Sequence, residues 1–204
     1  MSKIKLDSLD DTHYDVLKEI GNIGAGNATT ALACLINEKI DMSVPKVTLS
    51  PFNQIADVFG SEETILAGIL LGLEGDVNGM MMFLLTEQSA HNLVNILMGN
   101  PPDKLSDFTE MEMSALSEIG NIIAGSYLSA LAGLTGLTIT ASIPYTAIDM
   151  AGALLSLPAI EYGKIGDKVL LIQTQFGEND FVNGYFVMVP ELESYDKILT
   201  SLGL

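Results

Sequence analysis

The chain spells EIGNIGAGN from Glu19 to Asn27 and EIGNIIAGS from Glu118 to Ser126, 99 residues later. A near-copy at that distance in 204 residues asks for a fold that holds two related halves. Shifted by 99, Leu17, Ile20, Gly24, Ala28, Ala31 and Leu35 fall on Leu116, Ile119, Ile123, Tyr127, Ala130 and Leu134. Steps of three and four mark one face of a helix in each half. Thr109 with Glu112 has the spacing of a capping box, and Asp10 or Asp11 can cap the earlier helix. Asn37 and Gly136 overlay where each helix must end, and both residue types tolerate the left-handed conformation found there. Glycines inside such a helix cost up to about 1 kcal/mol each relative to alanine, so packing or function has to offset Gly21, Gly24 and Gly26. Close approach of the sister helix or of a sheet is one reason for Gly24. A phosphate-cradling loop is not the reason, because no strand precedes GNIGAG and no Lys-Ser/Thr follows it.

After each helix the period changes to two. Ile40, Met42 and Val44 alternate with polar residues up to Pro45, and Ile139, Ala141 and Ile143 do so up to Pro144. These read as half-buried strands ending at residues that cannot donate to a ladder. An irregular segment follows, then a hairpin. Ile65–Leu73 returns as Met80–Leu85, and Val169–Phe176 returns as Tyr185–Val189, with VNG near each turn. Amphipathic helices at Glu87–Met98 and Glu191–Leu202 close the halves. The expected fold is α+β, duplicated and pseudo-twofold. A central, largely antiparallel sheet would carry the two long helices on its face. One domain covers 1–204, built from repeats at about 10–99 and about 107–204, with a polar joint near 99–106. The strands should merge into one sheet, since a three-stranded half would expose long edges.

Nine Lys and Arg against 26 Asp and Glu give a net charge of −17, which argues against nucleic acid and anionic membranes as partners and favours a protein presenting cations. The single cysteine, Cys34, rules out an internal disulfide and reads as a small core residue. Ile119–Ile148 holds no charge, but its Asn, Ser, Thr, Gly and Pro content speaks for a buried helix and strand rather than a membrane span. No apolar leader opens the chain, so a cytoplasmic address is expected. His13 and His91 stand in unrelated contexts and no ligand spacing appears, so no metal site is expected.

Opposite the apolar stripe runs a polar one. Asp15, Glu19 and Asn22 stand at i, i+4 and i+7, as do Ser114, Glu118 and Asn121, and the next position on each stripe is a glycine, Gly26 or Gly125. A solvated face would carry several charges, lysines among them. These faces are nearly bare apart from the same acid and amide, with a small residue leaving room for a visitor. Paired-carboxylate hydrolysis by Glu19 and Glu118 is disfavoured, because two symmetric helices give the acids no reason to converge.

Asp15-x3-Glu19-x2-Asn22-x22-Pro45 and Ser114-x3-Glu118-x2-Asn121-x22-Pro144 resemble the pattern of the CheC/CheX/FliY family of chemotaxis phosphatases, and the likeness extends over essentially the whole chain, closest to the CheC branch. The resemblance implies a hydrolase acting on the phosphoaspartate of the response regulator CheY. Asn22 and Asn121 would orient the attacking water, and Glu19 and Glu118 would engage a lysine of the partner. Asp15, Ser114, Pro45, Pro144, Gly26 and Gly125 would support them. It implies no cofactor of the chain's own, Mg²⁺ being held by phospho-CheY, and a monomer as the working form. It also implies binding of the receptor deamidase CheD through the region after the second proline, Tyr145–Leu155, with Asp149 as its one charge. The competing expectation is a non-catalytic adaptor that sequesters CheD or CheY.

Overall fold

The computed structural model describes residues 11–37, 46–51, 54–101, 104–162, 168–176 and 182–203. The first half of the chain runs α1 (Asp11–Ile36), β1 (Lys46–Pro51), α2 (Ile55–Val58), β2 (Ile65–Gly75), β3 (Gly79–Thr86) and α3 (Glu87–Met98). The second runs α4 (Glu110–Thr135), β4 (Ile139–Ala141), β5 (Tyr145–Met150), α5 (Ala151–Tyr162), β6 (Lys168–Phe176), β7 (Val182–Pro190) and α6 (Leu192–Ser201). All strands join one antiparallel sheet in the order β1-β6-β7-β3-β2-β4, with β5 also on β2. The α+β fold class and the merged sheet are as the sequence reading expects. So are both hairpins, the capping box of Thr109 and Glu112, and the left-handed residues Asn37 (φ 54°) and Gly136 (φ 68°) that follow the long helices.

The outer strands cross over between halves. β1 lies against β6, pairing Lys46 with Gln173, while β5 lies against β2, pairing Tyr145 with Leu70. The hairpins are cross-linked in the same sense. The Asn78 N–H donates to Ser194 Oγ at 2.8 Å and the Asn183 N–H, at the start of β7, donates to Ser89 Oγ at 3.0 Å, so each hairpin leans on a helix from the other half.

Alternation along the strands fills two cores. Ile69, Leu71, Met81, Phe83 and Phe186 face α1, α3, α4 and α6; Leu66, Met82, Leu84, Leu171 and Val187 face α2 and α5. Helices α1 and α4 pack on each other as well as on the sheet. Gly24 makes this possible: a Cβ there would stand 2.4 Å from Cδ2 of Tyr127, whose ring is fully buried and stacks on Phe186. The crowding partner is a side chain of the sister helix rather than its backbone.

The segments that periodicity alone assigned differ in two places. The strand read as ending at Pro144 is the start of a longer edge. β4 and β5 occupy successive stretches of β2, Leu73 facing Ala141 and Leu70 facing Tyr145, so two residues of β2 stand opposite three of the edge. That is a bulge. Ser142 spans it, its N–H donating to the Gly72 carbonyl and its Oγ accepting from the Gly72 N–H, each at 2.9 Å, while Ile143 is turned out and 92% exposed instead of half-buried. The segments read as irregular contain β1, α2, β5 and α5. The second VNG, expected near a turn, forms the first three residues of β7. Residues 38–45, including the expected strand of Ile40, Met42 and Val44 and the proline Pro45, lie outside the described residues.

The joint between halves is strapped to the start of α4. Buried Glu112 accepts from Lys104 Nζ at 2.5 Å, from Asn100 Nδ2 at 3.0 Å and from the Thr109 N–H at 2.9 Å, and Asn95 Nδ2 donates to the Lys104 carbonyl at 3.0 Å. These contacts hold its carboxyl at about 2, well below the usual 4.5, the Lys104 bond first and the Thr109 bonds next. The register of α4 against α3 is set here.

Candidate functional site

In α1 the stripe Ile20, Gly24 and Ala28 is buried; in α4 so are Leu116, Ile119, Ile123 and Tyr127. With that face committed to the core, the 100° step of the helix turns Asp15, Glu19, Asn22 and Gly26 on α1, and Ser114, Glu118, Asn121 and Gly125 on α4, toward the outside. Asp15, Glu19, Ser114, Glu118 and Asn121 are exposed and Asn22 is half-buried. At both Gly26 and Gly125 a Cβ would meet nothing within 4 Å, so their side of each helix is open space. These two glycines are not packing devices; they keep the ground beside each amide low.

The two amides are not in the same state. Asn121 lines an open groove of about 510 Å³ between α4 and α1, walled by Gly125, Ser126 and Ser129 on one side and Asn27, Thr30 and Cys34 on the other. Asn22 has its Oδ1 out of contact with solvent and without a hydrogen-bond partner. An acceptor in that position has lost water without gaining a donor, at a cost of about 1–3 kcal/mol. A second groove of about 480 Å³ borders the other end of the α4 ridge, where Ser114 and Glu118 face Leu97 and Met98 at the end of α3.

The grooves contain residues that sequence reasoning passed over. Asn27 and Thr30 recur 99 residues on as Ser126 and Ser129, a polar row beside each stripe, and that recurrence is the signal that was available. Cys34 is exposed and not a core residue. It follows Asn27 and Thr30 by seven and four positions and shares their outward side of α1 instead of the buried stripe.

Pro144 is half-buried at the bulge of the sheet edge, away from the helix ridges in the chain's secondary structure, and Pro45 lies outside the described residues. Asp149 is exposed near the end of β5, its Oδ1 accepting from the Met150 N–H at 2.8 Å. On the same strand Tyr145 is 65% exposed and Met150 45%, and Ile160 of α5 is 72% exposed. His91 is buried and stacked on Phe108, ring centroids 4.0 Å apart. Among the described residues no group of three or more His, Cys, Asp and Glu is arranged to hold a metal ion, and no helix is long and apolar enough to cross a membrane.

Comparison with known proteins places this arrangement. The profile of the CheC-like family matches residues 13–49 and 111–144, two stretches that each contain one acid–amide stripe. The chain is 38% identical over 198 residues to the "CheY-P phosphatase CheC" of Bacillus subtilis (strain 168), covering 95% of each. Among solved structures, Thermotoga maritima FliY superposes with a TM-score of 0.76 at 21% identity, over 96% of this chain and 98% of that one. A CheX–CheY–BeF3–Mg²⁺ complex from Borrelia burgdorferi matches with a TM-score of 0.53 at 19% identity, over 82% of this chain and 95% of that one. With two outward acid–amide ridges on its long helices and a relative this similar along nearly its entire length, the chain belongs to the CheC-like family.

Proposed function

We propose that the chain hydrolyses the phosphoaspartate of a CheY-type response regulator, using Glu19 with Asn22 and Glu118 with Asn121 as two separate sites. The observation that carries the reading is the pairing on each ridge of an outward carboxylate and an amide one turn on, followed by a glycine with open space beside it. It is supported by the 38% identity to a protein named as a CheY-P phosphatase.

Hydrolysis of an acyl phosphate asks little covalent work of the catalyst. The water oxygen must approach phosphorus in line while the bond to the aspartyl oxygen breaks. An asparagine amide suits that task, because Oδ1 accepts a proton of the water while Nδ2 donates, fixing its direction. A carboxylate one turn away pairs with a lysine beside the phosphoryl group, which sets the docking pose through a charge-assisted bond. In this reading Mg²⁺ belongs to the phosphorylated partner; magnesium is present in the named CheX–CheY complex. Asp15 and Ser114 flank the acids as supporting groups, and Gly26 and Gly125 admit the partner. The repeated pairing of outer strands and turns across the sheet supports reading the chain as a duplication, so that one molecule carries both sites. The variant Asn22→Ala/Asn121→Ala keeps its fold and releases no phosphate from phospho-CheY above the spontaneous rate; turnover near the parent's refutes the proposal.

A second surface supports binding of CheD. Asp149 is exposed on β5, and Tyr145 and Met150 of the same strand and Ile160 of α5 are exposed apolar residues. Exposed apolar surface together with an acid suits a protein partner. Asp149→Lys abolishes CheD binding in a pull-down with purified proteins and leaves phosphate release unchanged; retention of CheD by that variant removes this surface from consideration. An adaptor without turnover would show the same Asp149 dependence but no catalysis in any phosphate-release assay.

A further inference from the structure

Each ridge holds a further glycine that neither the ring of Tyr127 nor the open ground beside the amides explains. Gly21 directly precedes Asn22, and Gly120 directly precedes Asn121. Both are buried. Alanine would suit the helix better at either position, so something other than helix propensity calls for glycine. A Cβ at Gly120 would stand 2.6 Å from Cγ2 and 2.9 Å from Cδ1 of Ile69, so the backbone of α4 rests directly on that side chain. Ile69 is held in place. It is fully buried, it is paired with Phe83 of β3 on one side and Thr146 of β5 on the other, and its branched side chain is stiff about χ1. The strand is also backed from behind. Gly68, next to Ile69, has two methyl groups of Leu154 of α5 at 3.0 and 3.1 Å from where its own Cβ would be. A side chain at position 120 is therefore accommodated by α4 rising from the sheet, by about 1 Å to restore an ordinary carbon–carbon contact.

That rise would fall between the acid and the amide, two residues after Glu118 and one before Asn121. We propose that Gly120 is a positioning residue, which by seating α4 on Ile69 sets the height of Asn121, and that Gly21 is its counterpart for Asn22 on α1. This rests on the reading above in which the amides orient the attacking water. The acid and the amide answer differently to such a shift. Glu118 reaches a lysine through a long, flexible side chain, and a charge pair weakens only gradually with distance, so docking survives. Asn121 has a shorter side chain and must hold water in line with phosphorus, where a misplacement of about 1 Å costs on the order of 100-fold in rate.

The test measures turnover of phospho-CheY, and binding of CheY activated with beryllofluoride and Mg²⁺, in an Asn22→Ala background that leaves the second site alone. Gly120→Ala lowers kcat about tenfold or more, while the Kd for activated CheY stays within about twofold. Adding Ile69→Ala clears Cγ2 and Cδ1 from the path of the new Cβ and raises that kcat about threefold or more. A glycine needed for packing alone would lower stability on substitution and leave kcat of the folded chain unchanged. A smaller loss of kcat, or a loss that Ile69→Ala does not relieve, overturns the assignment. Gly21→Ala in an Asn121→Ala background reads the counterpart at the first site. It decides the matter if the Gly120 variants do not fold, an undiminished first-site rate then overturning the assignment. Persistent turnover in Asn22→Ala/Asn121→Ala defeats the phosphatase sites themselves, whereas its loss there beside a fully active Gly120→Ala defeats only the seat.

Discussion

Glycine at two kinds of position serves opposite ends. Gly24 is small because Tyr127 needs its space, whereas at Gly125 nothing stands within 4 Å of an added Cβ. Spacing separates them, Gly24 falling on the apolar stripe and Gly125 on the polar one, but it does not reveal that a ring rather than a backbone fills the space at Gly24. The acid and amide were legible because they recur on a stripe that is otherwise bare. Cys34 was misjudged because its neighbours in sequence are apolar, although its neighbours on the helix surface, Asn27 and Thr30, are polar. The difference between the glycines has a measurable consequence. Gly125→Ala should raise stability by up to about 1 kcal/mol, since it improves helix propensity without a clash, yet lower turnover at the second site by narrowing the ground beside Asn121. Chemical denaturation and phosphate release in an Asn22→Ala background should therefore move in opposite directions; a parallel change in both would mean the open space has no part in docking.

Helices announced themselves at the level of elements and edge strands did not. The capping box, the left-handed terminators and the apolar stripes bound α1 and α4 closely, because each is a local device with its own residue signature. The edge of the sheet lacks such devices. Period-two alternation cannot register that two residues of β2 face three at Ser142–Pro144, and Pro144, which stands just before the second run of pairing, was read as ending the strand. The joint before α4 is the element whose stability is tuned by pH. The Glu112 carboxyl sits at about 2 in the folded chain against 4.5 ordinarily, so it stabilises the fold fully above pH 4.5 and loses that contribution as pH falls from there toward 2. Lys104→Met removes the largest cause of the shift. Acid titration followed by circular dichroism should place the unfolding midpoint of that variant at higher pH than the parent's; coincident midpoints would mean that the strap adds nothing to the fold.

For the molecule as a whole, the sheet does what neither half can do alone. β1 completes the second hairpin's side and β5 the first's, and Ser89 and Ser194 each hold the hairpin of the other half. The likeness between the two stretches could be read from the chain, but this exchange could not, because strand order depends on which edge reaches which partner and not on any local pattern. The result is a sheet with the two long helices packed on one face and α2 and α5 on the other. Whether the ridges act as separate sites is the centre of the account, and phosphate release from phospho-CheY by the parent, Asn22→Ala, Asn121→Ala and the double variant tests it most directly. Each single variant should retain part of the parent's rate, more being lost with exposed Asn121 than with half-buried Asn22, and the double variant should fall to the spontaneous rate. A double variant that is folded and still active would contradict it.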